Sequence, residues 1–417
     1  HPLRVLGVMT NTPAVDAYRG AGRPESNYLM ERLMDMMADK LGIDRIKIRR
    51  RNMITAEQMP FKMVCGGTID GGEIPQLMDE ALLRADQKGF AARQAESAAR
   101  GMLRGFGVGM YLEQCGGGSD GGVNVKFRED GTILVLASQQ ENGQGHRTTL
   151  TQILSDKLGF DADKIEILQG DSARTPPGTT GGARMTAVLG STVAEVAART
   201  LEAARPYAAA ALTCDEGELV FVDGIFSASG TNRSITIEDL VLRLVPDSGD
   251  HPFNIKHSYE PDGSTFPYGC HIAEIEIDPT TCDLNIMRYT VVDDFGAVIN
   301  PLMLEGRIHG GIAQGIGQAI HEYAAFDEQG QLVAGSLMDY RLPRAADLPT
   351  FDIHFRSIPC KNNILGVKGS GEAGAIGAPQ AVIAAVTNAL GIAHIDMPAT
   401  PVAIWQALQN KQSGKLA

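Results

Sequence analysis

The chain has 417 residues, 43% hydrophobic and 21% charged, which suits a soluble globular protein with a real core and excludes disorder, collagen and coiled coil. Lys+Arg 37 against Asp+Glu 50 gives a net charge of -13, and no basic run interleaves with aromatics, so nucleic acid is not an expected partner. No apolar run approaches the roughly 20 residues of a membrane helix.

On a prior of about 150 residues per domain, two or three domains are expected. The six cysteines (Cys65, Cys115, Cys214, Cys270, Cys282, Cys360) show no C-x-x-C, zinc or ferredoxin-type spacing. They read as buried small hydrophobes in a reducing, cytoplasmic setting, and His1-Pro2-Leu3-Arg4 does not read as a signal peptide.

The first predicted element is a helix over 24–41. Pro24 suits its first turn, Leu29, Met30, Leu33, Met34, Met37 and Leu41 recur at three- and four-residue spacing, and Gly42 suits its stop. The methionine stripe is expected to face the core. A second helical stretch covers 75–99, after which the pattern becomes mixed. Strands are predicted at 123–127, 132–137, 165–168, 219–222, 272–277, 285–292 and 351–358, with 278–283 as a hairpin turn. Irregular alternation with helices argues α+β, with mixed short-stranded sheets and packed glycine-rich helices, rather than a parallel α/β sheet. The stretch 306–323 stays helical despite Gly306, Gly310, Gly311, Gly315 and Gly317. Each would cost an exposed helix about 1 kcal/mol, so this helix must pack closely against other backbone. No internal repeat is present.

Three glycine loops each feed a helix. Gln139-Gln140-Glu141-Asn142-Gly143-Gln144-Gly145-His146 runs into a helix over 148–158, Gly178-Thr179-Thr180-Gly181-Gly182-Ala183-Arg184 into one over 186–204, and Lys368-Gly369-Ser370-Gly371-Glu372-Ala373-Gly374 leads to a helix opened by Pro379. Such loops free backbone N–H groups at the positive end of a helix dipole and make anion sites. One loop can be a mere tight turn, whereas three suggest a large anionic ligand such as a dinucleotide or pterin phosphate. Gly369, Gly371 and Gly374 also satisfy G-x-G-x-x-G, but the poor strand ahead of them and the short chain beyond disfavour a Rossmann domain. Glu372, among small residues, could serve as a general base or be a surface turn residue. Arg19, between Tyr18 and Gly20, could reach into a pocket as a planar donor or pair with a surface carboxylate.

These motifs, with Ala17-Tyr18-Arg19-Gly20-Ala21-Gly22-Arg23-Pro24-Glu25, Val292-Asp293-Asp294, Ile299-Asn300-Pro301, Gly310-Gly311-Ile312-Ala313-Gln314-Gly315-Ile316-Gly317 and Asp339-Tyr340, resemble in collinear order the molybdenum-binding subunit of the xanthine dehydrogenase/aldehyde oxidase family. The resemblance implies a molybdenum hydroxylase whose metal is held by a pterin dithiolene, in bacteria usually molybdopterin cytosine dinucleotide, with no protein metal ligands. It implies that Gly143, Gln144, Gly145, Gly181, Gly182, Ala183 and Arg184 bind the pterin and its phosphates, and that Gly369, Ser370 and Gly371 close the site. Glu372 aligns with the family's general base, and Arg19 falls in its substrate loop. The implied reaction places a water-derived oxygen on an electron-poor carbon of an N-heteroaromatic ring, such as a purine or nicotinate, or of an aldehyde. Electrons would pass to 2Fe-2S and FAD partner subunits.

Two departures from the family pattern stand out. Copper-containing carbon monoxide dehydrogenases carry Cys directly after the Arg of the substrate loop, where this chain has Gly20. The family also has a further preceding segment, so the expectation is a C-terminal portion of a split subunit, completed by a complementary N-terminal chain. Residues 1–100 would end the first cofactor domain and 101–417 form the second. The rival expectation is a non-catalytic or assembly fragment of the same fold.

Overall fold

A computed structural model describes residues 4–64, 66–116, 121–247 and 249–413; Cys65 and residues 1–3 of the leading tetrapeptide lie outside the described residues. Helix α1 (Arg23–Leu41) carries Pro24 in its first turn and stops at Gly42, in left-handed conformation with φ 62°. Its stripe does not face the core as expected: Leu29, Met30, Leu33, Met37 and Leu41 are exposed, while Glu31, Arg32 and Asp35 are buried. Ion pairs turn the helix this way. Arg49 of α2 (Arg45–Asn52) donates to Glu31 at 2.9 Å and to Asp35 at 2.8 Å, and Arg32 donates to Asp35 at 2.9 Å. A buried charge is tolerated only when paired in this manner.

A short ribbon, β1 (Phe61–Lys62) with β2 (Thr68–Ile69), follows. The helical stretch predicted over 75–99 is two helices, α3 (Ile74–Arg84) and α4 (Phe90–Ala99), because the chain turns at Asp86, where φ is 49°. Next come β3 (Leu103–Leu112), β4 (Gly122–Phe127), β5 (Ile133–Ala137), α5 (His146–Leu158) and β6 (Ile165–Gln169). Then α6 (Ser191–Leu212), β7 (Leu219–Val222), β8 (Ile225–Ala228), β9 (Ser234–Thr236), α7 (Ile237–Arg243) and β10 (Ile255–Ser258) lead to β11 (Tyr268–Ile277) and β12 (Leu284–Asp294). The chain ends with α8 (Pro301–Ile320), β13 (Phe351–Arg356), α9 (Ala373–Leu390) and α10 (Pro401–Gln412).

Two four-stranded sheets, β10-β4-β5-β6 and β13-β12-β11-β3, carry the two main cores, and β7-β8-β9 form a smaller third sheet. Both larger sheets are mixed, since β5–β6 and β12–β13 are parallel and the other pairs antiparallel, so the fold is α+β. The expected 278–283 turn joins β11 to β12, with Ile277 opposite Leu284. Cys115, Cys270, Cys282 and Cys360 are buried, as expected, and Cys214 is half-buried.

Strand β3 went unpredicted because Gly105, Gly107 and Gly109 break a β pattern. Those glycines let α9 lie on the strand: a Cβ at Gly105 would sit 2.0 Å from the Ala385 carbonyl oxygen, and one at Gly107 2.1 Å from that of Ala381. Helix α8 begins at Pro301, capped by Asn300 accepting from the Met303 N–H at 3.1 Å, and it packs tightly on α9 as its glycines required. A Cβ at Gly374 would lie 2.5 Å from the Ile312 nitrogen. Helix α9 opens at Ala373 rather than Pro379, which lies inside it. It is long and apolar enough to cross a bilayer, against the expectation from apolar runs, but it is buried between β3, β11 and α8 as a core helix.

Candidate functional site

The three glycine loops meet. Gln144, then Gly181, Gly182, Ala183 and Arg184, then Gly369, Ser370, Gly371 and Glu372 line one cleft of about 240 Å³, with Arg19 on its rim. Gly143 and Gly145 flank Gln144 and set the turn, with φ of 97° and 73°; Gly145 is the cap of α5. Within this loop the Asn142 N–H donates to Gln144 Oε1 at 2.5 Å. In the second loop Gly182 and Ala183 are left-handed, and a π-type turn over Thr186–Gly190 precedes α6, an irregularity often found at functional sites. The third loop places Glu372 at the cap position of α9, where the helix dipole favours a negative charge.

Cross-links hold the loops in register. Thr180 Oγ1 donates to the Gln140 carbonyl at 2.7 Å, the Gly116 N–H to the Gly182 carbonyl at 3.0 Å, and the Gly369 N–H to Thr265 Oγ1 at 3.2 Å. Arg19 is not in a surface pair. Its Nε donates to the Gly371 carbonyl at 2.5 Å, Nη1 to Gln314 at 3.3 Å and Nη2 to the Arg307 carbonyl at 3.1 Å. Burial pulls its guanidinium below the usual range, opposed by Glu372.

Sequence reasoning gave no role to several residues here. Arg307 of α8 donates to the Gln144 carbonyl and keeps a buried, unpartnered Nε; burial and then Arg19 lower its guanidinium. It lies within a helix read only for its glycines. Lys368 opens the third loop and donates to Asp294 at 2.8 Å, both side chains being fully enclosed. Asp294 also accepts from the Gly296 and Ile358 N–H groups, so this ion pair ties the loop to the end of β12. His146 is buried with its Nδ1 unpartnered, and burial followed by Arg307 lowers it to about 4. Only proximity in three dimensions could have found these side chains.

Gly369, Gly371 and Gly374 are not a Rossmann fingerprint, because β13 ends at Arg356 without running into the loop and Gly374 lies inside α9. Arg19, Arg184, Arg307 and Lys368 line the cleft against one carboxylate, Glu372. Together with backbone N–H groups at the starts of α5 and α9 and the unpartnered Arg307 Nε, they fit a polyanionic ligand. Among the described residues no cluster of three or more His, Cys, Asp or Glu could hold a metal ion.

A molybdopterin cofactor-binding domain model matches residues 80–349, and a second such model matches residues 2–53. The chain is 32% identical over 429 residues to the carbon monoxide dehydrogenase large chain of Hydrogenophaga pseudoflava, covering 97% of this chain and 53% of the relative. It is 31% identical to the nicotine 6-hydroxylase large subunit of Paenarthrobacter nicotinovorans, covering 96% and 52%. Its fold matches quinoline 2-oxidoreductase from Pseudomonas putida 86 with a TM-score of 0.86 at 32% identity, covering 94% and 53%. The chain thus spans about half the length of the curated relatives it matches. By its sequence, its fold and the cationic cleft built from its three loops, the chain belongs to the molybdopterin cofactor-binding domain family, among the molybdenum-binding subunits of the xanthine dehydrogenase/aldehyde oxidase group.

Proposed function

We propose that the chain forms part of the catalytic subunit of a multisubunit molybdenum hydroxylase, with molybdopterin cytosine dinucleotide held in the cleft. The observation that carries this reading is the convergence of three loops and four cations around one carboxylate, Glu372. Residues 181–184, Gln144 and Arg307 would hold the pterin and its phosphates, and residues 369–371 would close over it. When bound, the cofactor supplies two-electron oxidation and the water-derived oxygen. Glu372 takes the proton released in that transfer. Arg19 uses three N–H donors on the protein, and the other two of its five are available to orient a substrate or stabilise developing negative charge.

The substrate class is an N-heteroaromatic ring hydroxylated beside nitrogen, ahead of an aldehyde, since nicotine and quinoline stand in the names of two relatives. Copper-assisted oxidation of carbon monoxide is disfavoured at Gly20: its φ is 104°, and a Cβ there would lie 2.5 Å from the Pro24 ring. The cytoplasmic complex would include 2Fe-2S and FAD subunits and a further portion of the molybdenum subunit. The exposed stripe on α1, with Val5, Leu6, Val8, Met9 and Val15 ahead of it, supports such a partner, because apolar surface gathered in this way marks an interface.

The test is to purify the chain from its host without denaturant and to measure molybdenum and acid-released CMP. Near-equal amounts with co-purifying chains support the hydroxylase. A metal-free, partnerless chain would instead mark a non-catalytic fragment.

A further inference from the structure

Two contacts fix the stem of the loop that carries Glu372. At the first, Lys368 donates its backbone N–H to the Phe295 carbonyl at 2.8 Å and its ammonium to Asp294 Oδ2 at 2.8 Å, with Nζ lying 4.9 Å from the centre of the Tyr268 ring. Lys368 borders the cleft, but its side chain is only 1% exposed, so its charge is committed to Asp294. Asp294 is itself fully buried, and its Oδ1 accepts from the Gly296 N–H at 2.9 Å and the Ile358 N–H at 3.2 Å. One carboxylate thus joins the end of β12, the segment after β13 and the third loop.

At the second contact, the buried Gly369 N–H donates to Thr265 Oγ1 at 3.2 Å. Thr265 is 2% exposed and pairs with Cys115 through its backbone: its N–H donates to the Cys115 carbonyl at 2.9 Å, and the Cys115 N–H donates to its carbonyl at 2.8 Å. Gly369 is pressed onto this bridge, since a Cβ there would lie 2.5 Å from Cys115 Sγ and 2.6 Å from the Ala183 carbonyl oxygen. Neither hold slackens at small cost. Breaking a buried ion pair leaves a charge uncompensated, and removing the threonine hydroxyl leaves a buried N–H without an acceptor. Glu372 follows three residues after Gly369.

We propose that Lys368 and Thr265 are positioning residues for Glu372: by fixing the loop at two adjacent residues they set where its carboxylate stands in the cleft, and Lys368 spends its charge on Asp294 rather than on the ligand. Both act through Glu372, so their role rests on the reading of Glu372 as the general base. No covalent bond changes in this arrangement.

Amide hydrogen exchange of the purified complex, read by mass spectrometry on peptides spanning 366–374, reports the hold on the loop without reference to turnover. Thr265→Val keeps the shape but removes the acceptor, and it should speed exchange there about 10- to 100-fold; Thr265→Ser, which restores the hydroxyl, should return it to the wild-type rate. Kinetics report the consequence. Thr265→Val and Lys368→Met should each lower kcat about 10- to 100-fold, the scale for a displaced catalytic group, with KM, molybdenum and released CMP unchanged, and Thr265→Ser should recover kcat. Asp294→Asn, which removes the same ion pair from its other side, should act like Lys368→Met. Unchanged exchange in Thr265→Val, or faster exchange with wild-type kcat, would overturn the proposal. Loss of molybdenum and CMP in Lys368→Met but not in Asp294→Asn would make Lys368 a ligand contact and overturn its part. If Lys368→Met does not fold, Thr265→Val and Asp294→Asn decide.

Glu372→Gln separates the two readings. Retained turnover in that variant would remove Glu372 as the base, while the exchange rates would still report the hold on the loop. An inactive Glu372→Gln beside wild-type kcat in both Thr265→Val and Lys368→Met would overturn the positioning role alone.

Discussion

Arg19 Nε donates to the carbonyl of Gly371 at 2.5 Å and so ties the segment ahead of α1 to the residue before Glu372, 352 positions along the chain. With Gln314 and the Arg307 carbonyl, both on α8, as its other acceptors, the guanidinium joins its own segment to the third loop and to α8. Arg19→Lys retains the charge but loses the planar fork that reaches all three. It is expected to lower kcat/KM about 10- to 100-fold, as for one lost charged hydrogen bond, with molybdenum content intact. Wild-type kinetics in this variant would reduce Arg19 to a structural brace.

Glu372→Gln removes the proton acceptor while preserving shape. The expected outcome is a kcat lower by about 10²–10⁴, the usual contribution of a general base, with molybdenum and released CMP unchanged. Metal analysis beside steady-state rates checks it, and more than about a tenth of wild-type kcat would contradict the assignment.

Gly107→Val probes the seat of α9. A Cβ at this position would lie 2.1 Å from the Ala381 carbonyl oxygen and 2.3 Å from the Ala385 nitrogen, both helix backbone that cannot rotate aside. Overpacking of this kind costs about 1–3 kcal/mol or more, so the urea midpoint should fall. An unchanged midpoint would mean that α9 does not rest on β3.

His146 makes stability depend on pH. Its folded value of about 4 lies below the ordinary 6.5, so as pH falls through 6.5 the unfolded chain binds a proton that the folded chain refuses. Stability therefore declines from about pH 6.5 down to 4, by up to about 1.4 kcal/mol per pH unit for this one group. His271, lowered to about 3 by burial, acts with the same sign. His146→Gln should flatten the acid slope by one proton's share, measured by denaturant melts at several pH values; an unaltered slope would show that His146 titrates normally.

The stripe on α1 is tested by Met30→Asp with Met37→Asp. Both side chains are exposed, at 57% and 43%, so the change should alter the stability of the chain by less than about 0.5 kcal/mol per site. Co-purification of partner chains should fall. Unchanged co-purification would remove this face from the interface.

Periodicity alone placed α1, most strands of the two larger sheets and the β11–β12 turn, because spacing and turn residues report local structure directly. It failed on β3, whose glycines carry no β signal and whose strand exists because α9 lies against it. It also misjudged which face of α1 is buried. The spacing of Met30, Met34 and Met37 was correct for a helix, but the ion pairs of Arg49 with Glu31 and Asp35 come from a different helix, which no local pattern registers.

The same division holds at the site. The glycine loops, Arg19 and Glu372 were legible in the sequence because loops that expose backbone N–H groups before helices leave a local trace. Their convergence on one cleft, the bond from Arg19 to Gly371 and the Lys368–Asp294 pair were decided only by the tertiary structure. Proximity across hundreds of residues and exclusion of water are properties of packing, and they determine which charged groups are paired.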